Sequence, residues 1–141
     1  MADQLADRRA LVDLTIAYSY ALDDRRFDDL DDVFLPAATA ELGRPLEGRD
    51  AIKDRIRDAL VPLDASQHLV ATHQVRLDGD RATGCCYLQA QHVRAGTDGG
   101  SLFMVGGRYE DRYVRTADGW RIARRALVVL WTDGNPAVLG V

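Results

Sequence analysis

Apolar side chains recur at helical spacing over residues 7–22, at Leu11, Leu14, Tyr18 and then Ala21 or Leu22. Asp3 and Asp7 stand near the start of this run, where a helix dipole favours acids. The pattern predicts a first helix that carries Tyr18 on its inward stripe and runs out at Asp23. Phe27, Leu30, Val33 and Phe34 repeat the spacing among four aspartates, and Pro36 discourages continuation, which predicts a short second helix. A short strand is expected over residues 37–42. Ile52, Ile56, Ala59 and Leu60 then mark a third helix that begins near Gly48 and stops before Pro62.

Beyond residue 64 the period changes to alternation. Asp78-Gly79-Asp80, the stretch from Gly96 to Gly100, and Asp118-Gly119 punctuate it, which predicts consecutive antiparallel strands of unusual length. Helices followed by a strand meander imply an α+β fold, in which the helices cover the concave face of a strongly curved, mostly antiparallel sheet. Residues 1–141 read as a single domain, long enough to bury a sizeable core.

Alternation also sorts the strand faces. Stepping back by two from His92 gives Ala90, Leu88, Cys86, Gly84 and Ala82, a small and apolar set that leaves room for a ligand beside one ionisable group. Gln91, Gln89, Tyr87, Cys85 and Thr83 share the other face, which suits an oligomer interface or a wet sheet surface. His73 alternates with Val75 and Leu77, whereas His68 has the opposite parity. His73 therefore points in and His68 out, unless a bulge shifts the register between them. The pair Gly106-Gly107, inside a strand pattern, reads as a bulge or a close packing site.

Composition narrows the chemistry. The formal charge is −4 and no basic run occurs, which argues against nucleic acid. Lys53 is the single lysine and lies in a polar helical segment, so Schiff-base chemistry is set aside. Cys85 and Cys86 are neighbours on a strand and point to opposite faces, which predicts reduced thiols and a cytoplasmic protein. No apolar run approaches the roughly 20 residues needed to span a bilayer. The histidines lack metal-ligand spacing and the glycines lack a phosphate-binding context, so neither a metal nor a nucleotide cofactor is expected.

The remaining candidates are Asp23, His68 and His92. Histidine suits proton transfer near neutrality, and a carboxylate that fixes one ring nitrogen makes the other a better base. Tyr18, on the inward stripe, offers a hydroxyl to a substrate oxygen. Arg125, in the apolar last strand, needs an anionic partner if buried.

Leu11-Val12-Asp13-Leu14 with Tyr18 and Asp23, the run Leu46-Glu47-Gly48-Arg49-Asp50-Ala51-Ile52, the Gly106-Gly107-Arg108-Tyr109 hairpin and Trp120 together resemble the SnoaL-like branch of the nuclear-transport-factor-two-like superfamily. The resemblance implies a cone-shaped α+β barrel, with three helices and a bent sheet enclosing an apolar pocket. It implies a homodimer or homotrimer that takes a small apolar or polycyclic organic substrate. Residue by residue the chain is similar to cofactor-independent lyases of that branch, namely lindane dehydrochlorinase, bile-acid dehydratases and scytalone dehydratase. The similarity implies catalytic roles for Asp23, His68, Tyr18, Arg125 and His92. Tyr18 falls where the dehydrochlorinases have a lysine, and Leu22 and Leu42 fall where scytalone dehydratase has two tyrosines, so the resemblance carries the chemistry rather than either substrate. The expectation is a dehydratase-type β-elimination by an Asp-His dyad, with Asp23 orienting His68 and with Tyr18, Arg125 and His92 steadying charge or the leaving group. Isomerisation, cyclisation and non-catalytic binding are the alternatives on the same fold.

Overall fold

The computed structural model describes residues 3–140. Helix α1 (Gln4–Asp23) starts at Asp3, whose carboxylate accepts the exposed N–H groups of Leu5 and Ala6. A 3-10 helix (Phe27–Asp32) follows, then β1 (Phe34–Glu41), β2 (Pro45–Glu47) and α2 (Arg49–Leu60). Four long strands complete the chain: β3 (Ala65–Asp78), β4 (Arg81–Val93), β5 (Leu102–Thr116) and β6 (Gly119–Gly134), with a terminal 3-10 helix (Pro136–Leu139).

The expected α+β architecture is present, and the three glycine-rich turns join the long strands where the sequence puts them. Two boundaries differ. Phe34 opens β1 instead of closing the second helix, because it pairs with Ile122 of β6, whose N–H bonds the preceding Val33 carbonyl, and its ring enters the core. Pro36 lies inside β1, in the stretch between Phe34 and Thr39 where pairing with β6 is irregular and the missing N–H breaks no ladder bond. The three-residue β2 is too short to leave a periodic signal and exists only through its pairing with β1.

The strands form one unclosed sheet in the order β2-β1-β6-β5-β4-β3, antiparallel except for the β1–β6 pair. Register shifts at residues 71/74, 106/107 and 112/113 bend it. Gly106 and Gly107 mark one of these bends. A Cβ on Gly106 would collide with the Trp131 ring, and one on Gly107 with the Val128 carbonyl. Helix α1 lies against β3, and the core fills the concave side with Leu11, Leu30, Ile52, Leu88, Ile122 and their neighbours. No helix among the described residues is long and apolar enough to cross a membrane.

Candidate active site

Asp23 is the last residue of α1 and sits at the negative end of the helix dipole, where an acid is disfavoured. Three donors hold it there. Its Oδ1 accepts from His68 Nδ1 at 2.7 Å and from the Ser66 hydroxyl at 2.9 Å, and its Oδ2 accepts from the His68 backbone N–H at 2.7 Å. Burial alone would raise the Asp23 pKa, but the side-chain and backbone hydrogen bonds of His68 and that of Ser66 outweigh it and hold the carboxyl below its ordinary range. An ionised carboxylate only accepts, so His68 Nδ1 carries the proton and Nε2 bears the lone pair in the neutral ring.

The helix ends in a Schellman motif: the N–H of Arg25 bonds the Leu22 carbonyl and that of Arg26 bonds the Ala21 carbonyl. Arg25 occupies the left-handed position, at φ 59°, that glycine usually fills. Its guanidinium donates to the Leu22 carbonyl and to the Ser66 hydroxyl at 2.9 Å. A strained residue thus closes a chain Arg25–Ser66–Asp23–His68.

Both His68 and His73 face the helical layer. The register shift between Ala71 and Gln74, with Thr72 at φ 58°, reverses the alternation between them. His73 Nε2 lies 2.8 Å from Thr15 Oγ1 on α1, while His68 lines a cavity of about 310 Å³. The cavity wall is mostly apolar, with Leu22, Leu60, Leu88, Ala90, Phe103 and Val105, and its polar members are Tyr18, Tyr109, His92, Arg55 and Thr132 alongside His68. The rings of His68 and His92 meet edge to face with centroids 6.0 Å apart. His92 Nδ1 donates to the Phe103 carbonyl at 2.9 Å. Burial, only partly offset by that carbonyl, lowers the His92 pKa, so near neutral pH the ring is uncharged and its Nε2 is an acceptor.

Arg125 does not line the cavity. It is fully buried behind the tyrosines, its guanidinium 4.3 Å from the centre of the Tyr18 ring and 3.8 Å from that of Tyr109. Nε and Nη2 donate to the two carboxylate oxygens of Asp111, each at 2.8 Å, and Tyr113 donates to the same carboxylate at 3.0 Å. Burial raises the pKa of Tyr18 and, more strongly, of Tyr109, against a smaller opposing effect of Arg125, so both hydroxyls stay protonated.

His68, Tyr18 and His92 thus line one cavity, Asp23 stands behind His68, and Arg125 stands behind the tyrosines. Ser66, Tyr109 and Asp111 were missed by the sequence reading. Ser66 shares the parity of His68, and Asp111 interrupts the face of Val105, Tyr109 and Tyr113; either signal was available. Among the described residues no three His, Cys, Asp or Glu side chains gather as a metal-binding set.

Comparison with known proteins places these features. The model of the SnoaL-like domain matches residues 3–126. An uncharacterized protein of Mycobacterium tuberculosis is 39% identical over 126 residues, which cover 86% of this chain and 84% of its own. The Kfla4162 protein from Kribbella flavida superposes with a TM-score of 0.91 at 27% identity, over 99% of this chain and 100% of that one. Hexachlorocyclohexane dehydrochlorinase LinA-type3 from Novosphingobium barchaimii shares the fold, with a TM-score of 0.82 at 15% identity over 98% and 96% of the two chains.

Proposed function

Because this chain belongs to the SnoaL-like domain family, we propose that it is a cofactor-independent lyase that eliminates a leaving group from a small organic molecule in the concave cavity. The observation that carries this reading is the 2.7 Å hydrogen bond from His68 Nδ1 to an ionised Asp23, on a ring that lines an apolar cavity. Fold likeness to a dehydrochlorinase supports it at the level of reaction class alone.

In this mechanism His68 Nε2 takes a proton from the carbon next to an electron-withdrawing group. The C–H electron pair becomes the new double bond, and the bond to the leaving group breaks with its pair. When the leaving group is hydroxyl, the imidazolium returns the same proton to it, so that water departs and the base is regenerated. Asp23 fixes the productive tautomer and stabilises the imidazolium. The protonated hydroxyls of Tyr18 and Tyr109 supply the donors for a substrate oxygen, and the dry wall strengthens both. His92 accepts from a substrate hydroxyl. Arg125 is a positioning residue, which holds the two tyrosine rings from behind.

The test is a panel of β-hydroxy and β-halo carbonyl compounds followed by proton NMR in deuterated buffer. Wild-type protein is expected to eliminate at least one, or to exchange its acidic C–H. His68→Ala and Asp23→Asn should each slow that by about 10²-fold or more while circular dichroism stays unchanged. Turnover retained in both folded variants would overturn the dyad as the catalytic group, and no turnover or exchange of any compound by wild type would leave a binding protein.

A further inference from the structure

The outer face of the sheet, away from the cavity, carries a row of charge that acid-base chemistry does not use. Across five neighbouring strands the paired positions are Arg76 with Thr83, Thr83 with Arg112, Arg112 with Arg124, and Arg124 with Thr39. Three guanidiniums and two hydroxyls therefore stand in a single cross-strand line. Three nearby carboxylates are already engaged, Glu110 by Arg108, Asp111 by Arg125 and Asp80 by Arg115, which leaves Asp78 against three arginines. Among the described residues Arg76, Arg112 and Arg124 enter no ion pair.

The same arginines line two adjoining grooves, of about 720 Å³ and about 520 Å³. The first also contains Thr83 and Glu110; the second adds Thr39, Arg81 and Asp78. Like charges directly opposite one another on a sheet are destabilising, and Arg112 faces Arg124 in this way within a chain of net charge −4. Concentrating unpaired cations against the overall charge balance is a cost to the fold that an anion bound in the groove would reverse. Guanidinium forks match phosphate oxygens two at a time, and strands about 4.8 Å apart set successive forks at a spacing that a chain of two phosphoryl groups can bridge.

We propose that this row is a second site, separate from the cavity, which binds a soluble phosphorylated molecule through a diphosphate or similar multiply charged group. A recessed groove of this volume suits a small ligand rather than a flat anionic surface.

Isothermal titration with inorganic pyrophosphate, at a fixed ionic strength of about 0.15 M to hold screening constant, tests it. Wild-type protein should bind saturably. The double variant Arg112→Gln/Arg124→Gln should bind at least about tenfold more weakly. Without ligand it should melt no lower than wild type, because the facing charges are gone. His68→Ala should bind pyrophosphate as wild type does. If the double variant does not fold, the exposed Arg112→Gln alone serves the same comparison. No saturable binding, or equal affinity in the variant, overturns the proposal. So does a change of sedimentation mass in the variant, which would assign the row to carboxylates of a second copy, or co-sedimentation of wild type with phosphatidylserine vesicles in place of pyrophosphate binding.

Discussion

Two carboxylates, Asp111 and Asp23, sit on the concave side of the sheet against nitrogen donors, with nearly the same hydrogen-bond lengths and opposite accounting. Asp111 and Arg125 are both fully buried and bond twice, and Tyr113 adds a third donor to the carboxylate. Asp23 and His68 bond once through the ring, which lines the cavity and keeps its second nitrogen free of the carboxylate. A pair whose carboxylate takes three donors and is shut away from the cavity is scaffold, even with Arg125 Nη1 left without a partner, whereas a pair whose ring lines an apolar space can do chemistry. The difference lies in where the last lone pair points rather than in residue type.

The sharpest way to break this comparison is to remove one member of the sealed pair. Arg125→Met leaves Asp111 buried without its cation, and the expected loss is about 3–5 kcal/mol in urea unfolding. Replacing both, with Asp111→Leu and Arg125→Met, should recover most of that loss, because the cost lies in the orphaned charge. A single variant that loses less than about 1 kcal/mol would mean that the pair is not structural, and Arg125 would then return to the reaction as a candidate.

These two pairs were unequally legible in the sequence. Helical spacing brought Tyr18 inward and ended α1 at Asp23, and alternation put Ala82, Cys86, Leu88, Ala90 and His92 on one buried face, as the structure has them. The inward turn of His68 was not legible, because it depends on a bulge at Thr72, a β-branched residue in a left-handed conformation that no local pattern demands. Asp111 was legible in principle: an acid on a face with Tyr109 and Tyr113 must find a cation, and Arg125 was already known to need an anion. What the pattern lacked was the register of β5 against β6, which shifts between Arg112 and Tyr113 and brings Asp111 opposite Arg125.

A smaller effect sharpens the open pair. Ser66→Ala removes the hydroxyl that Asp23 accepts at 2.9 Å and frees Arg25 from its second partner. One hydrogen bond to a charged group at a half-buried site is worth about 1 kcal/mol here, so kcat/KM should fall about fivefold with unfolding almost unchanged. Ser66→Thr, which restores a hydroxyl, should recover the rate. A loss confined to KM would assign Ser66 to substrate contact rather than to the dyad.

The smallest effect separates the histidines by pH. Burial lowers the pKa of His73 and of His92, so each is neutral in the folded protein at a pH where the unfolded chain, with an ordinary value near 6.5, has begun to bind a proton. The unfolded state then holds more protons, and stability falls as pH drops through that range. Between pH 7 and pH 6 the loss is at most about 0.7 kcal/mol for each histidine. Asp23 works in the opposite window. Its folded pKa is depressed, so its contribution is full above the ordinary carboxylate range near 3.9 and is lost only as pH falls toward its folded value. Urea midpoints measured at pH 7 and pH 6 should therefore move for wild type and move about half as much for His92→Asn, which keeps a donor near the Phe103 carbonyl but cannot titrate. Equal movement in the two proteins would mean that burial does not lower the His92 pKa, so that the folded ring takes up its proton over the same range as the unfolded chain. Below that range its Nε2 would be a donor, and the cavity would hold a second acid beside His68 rather than an acceptor.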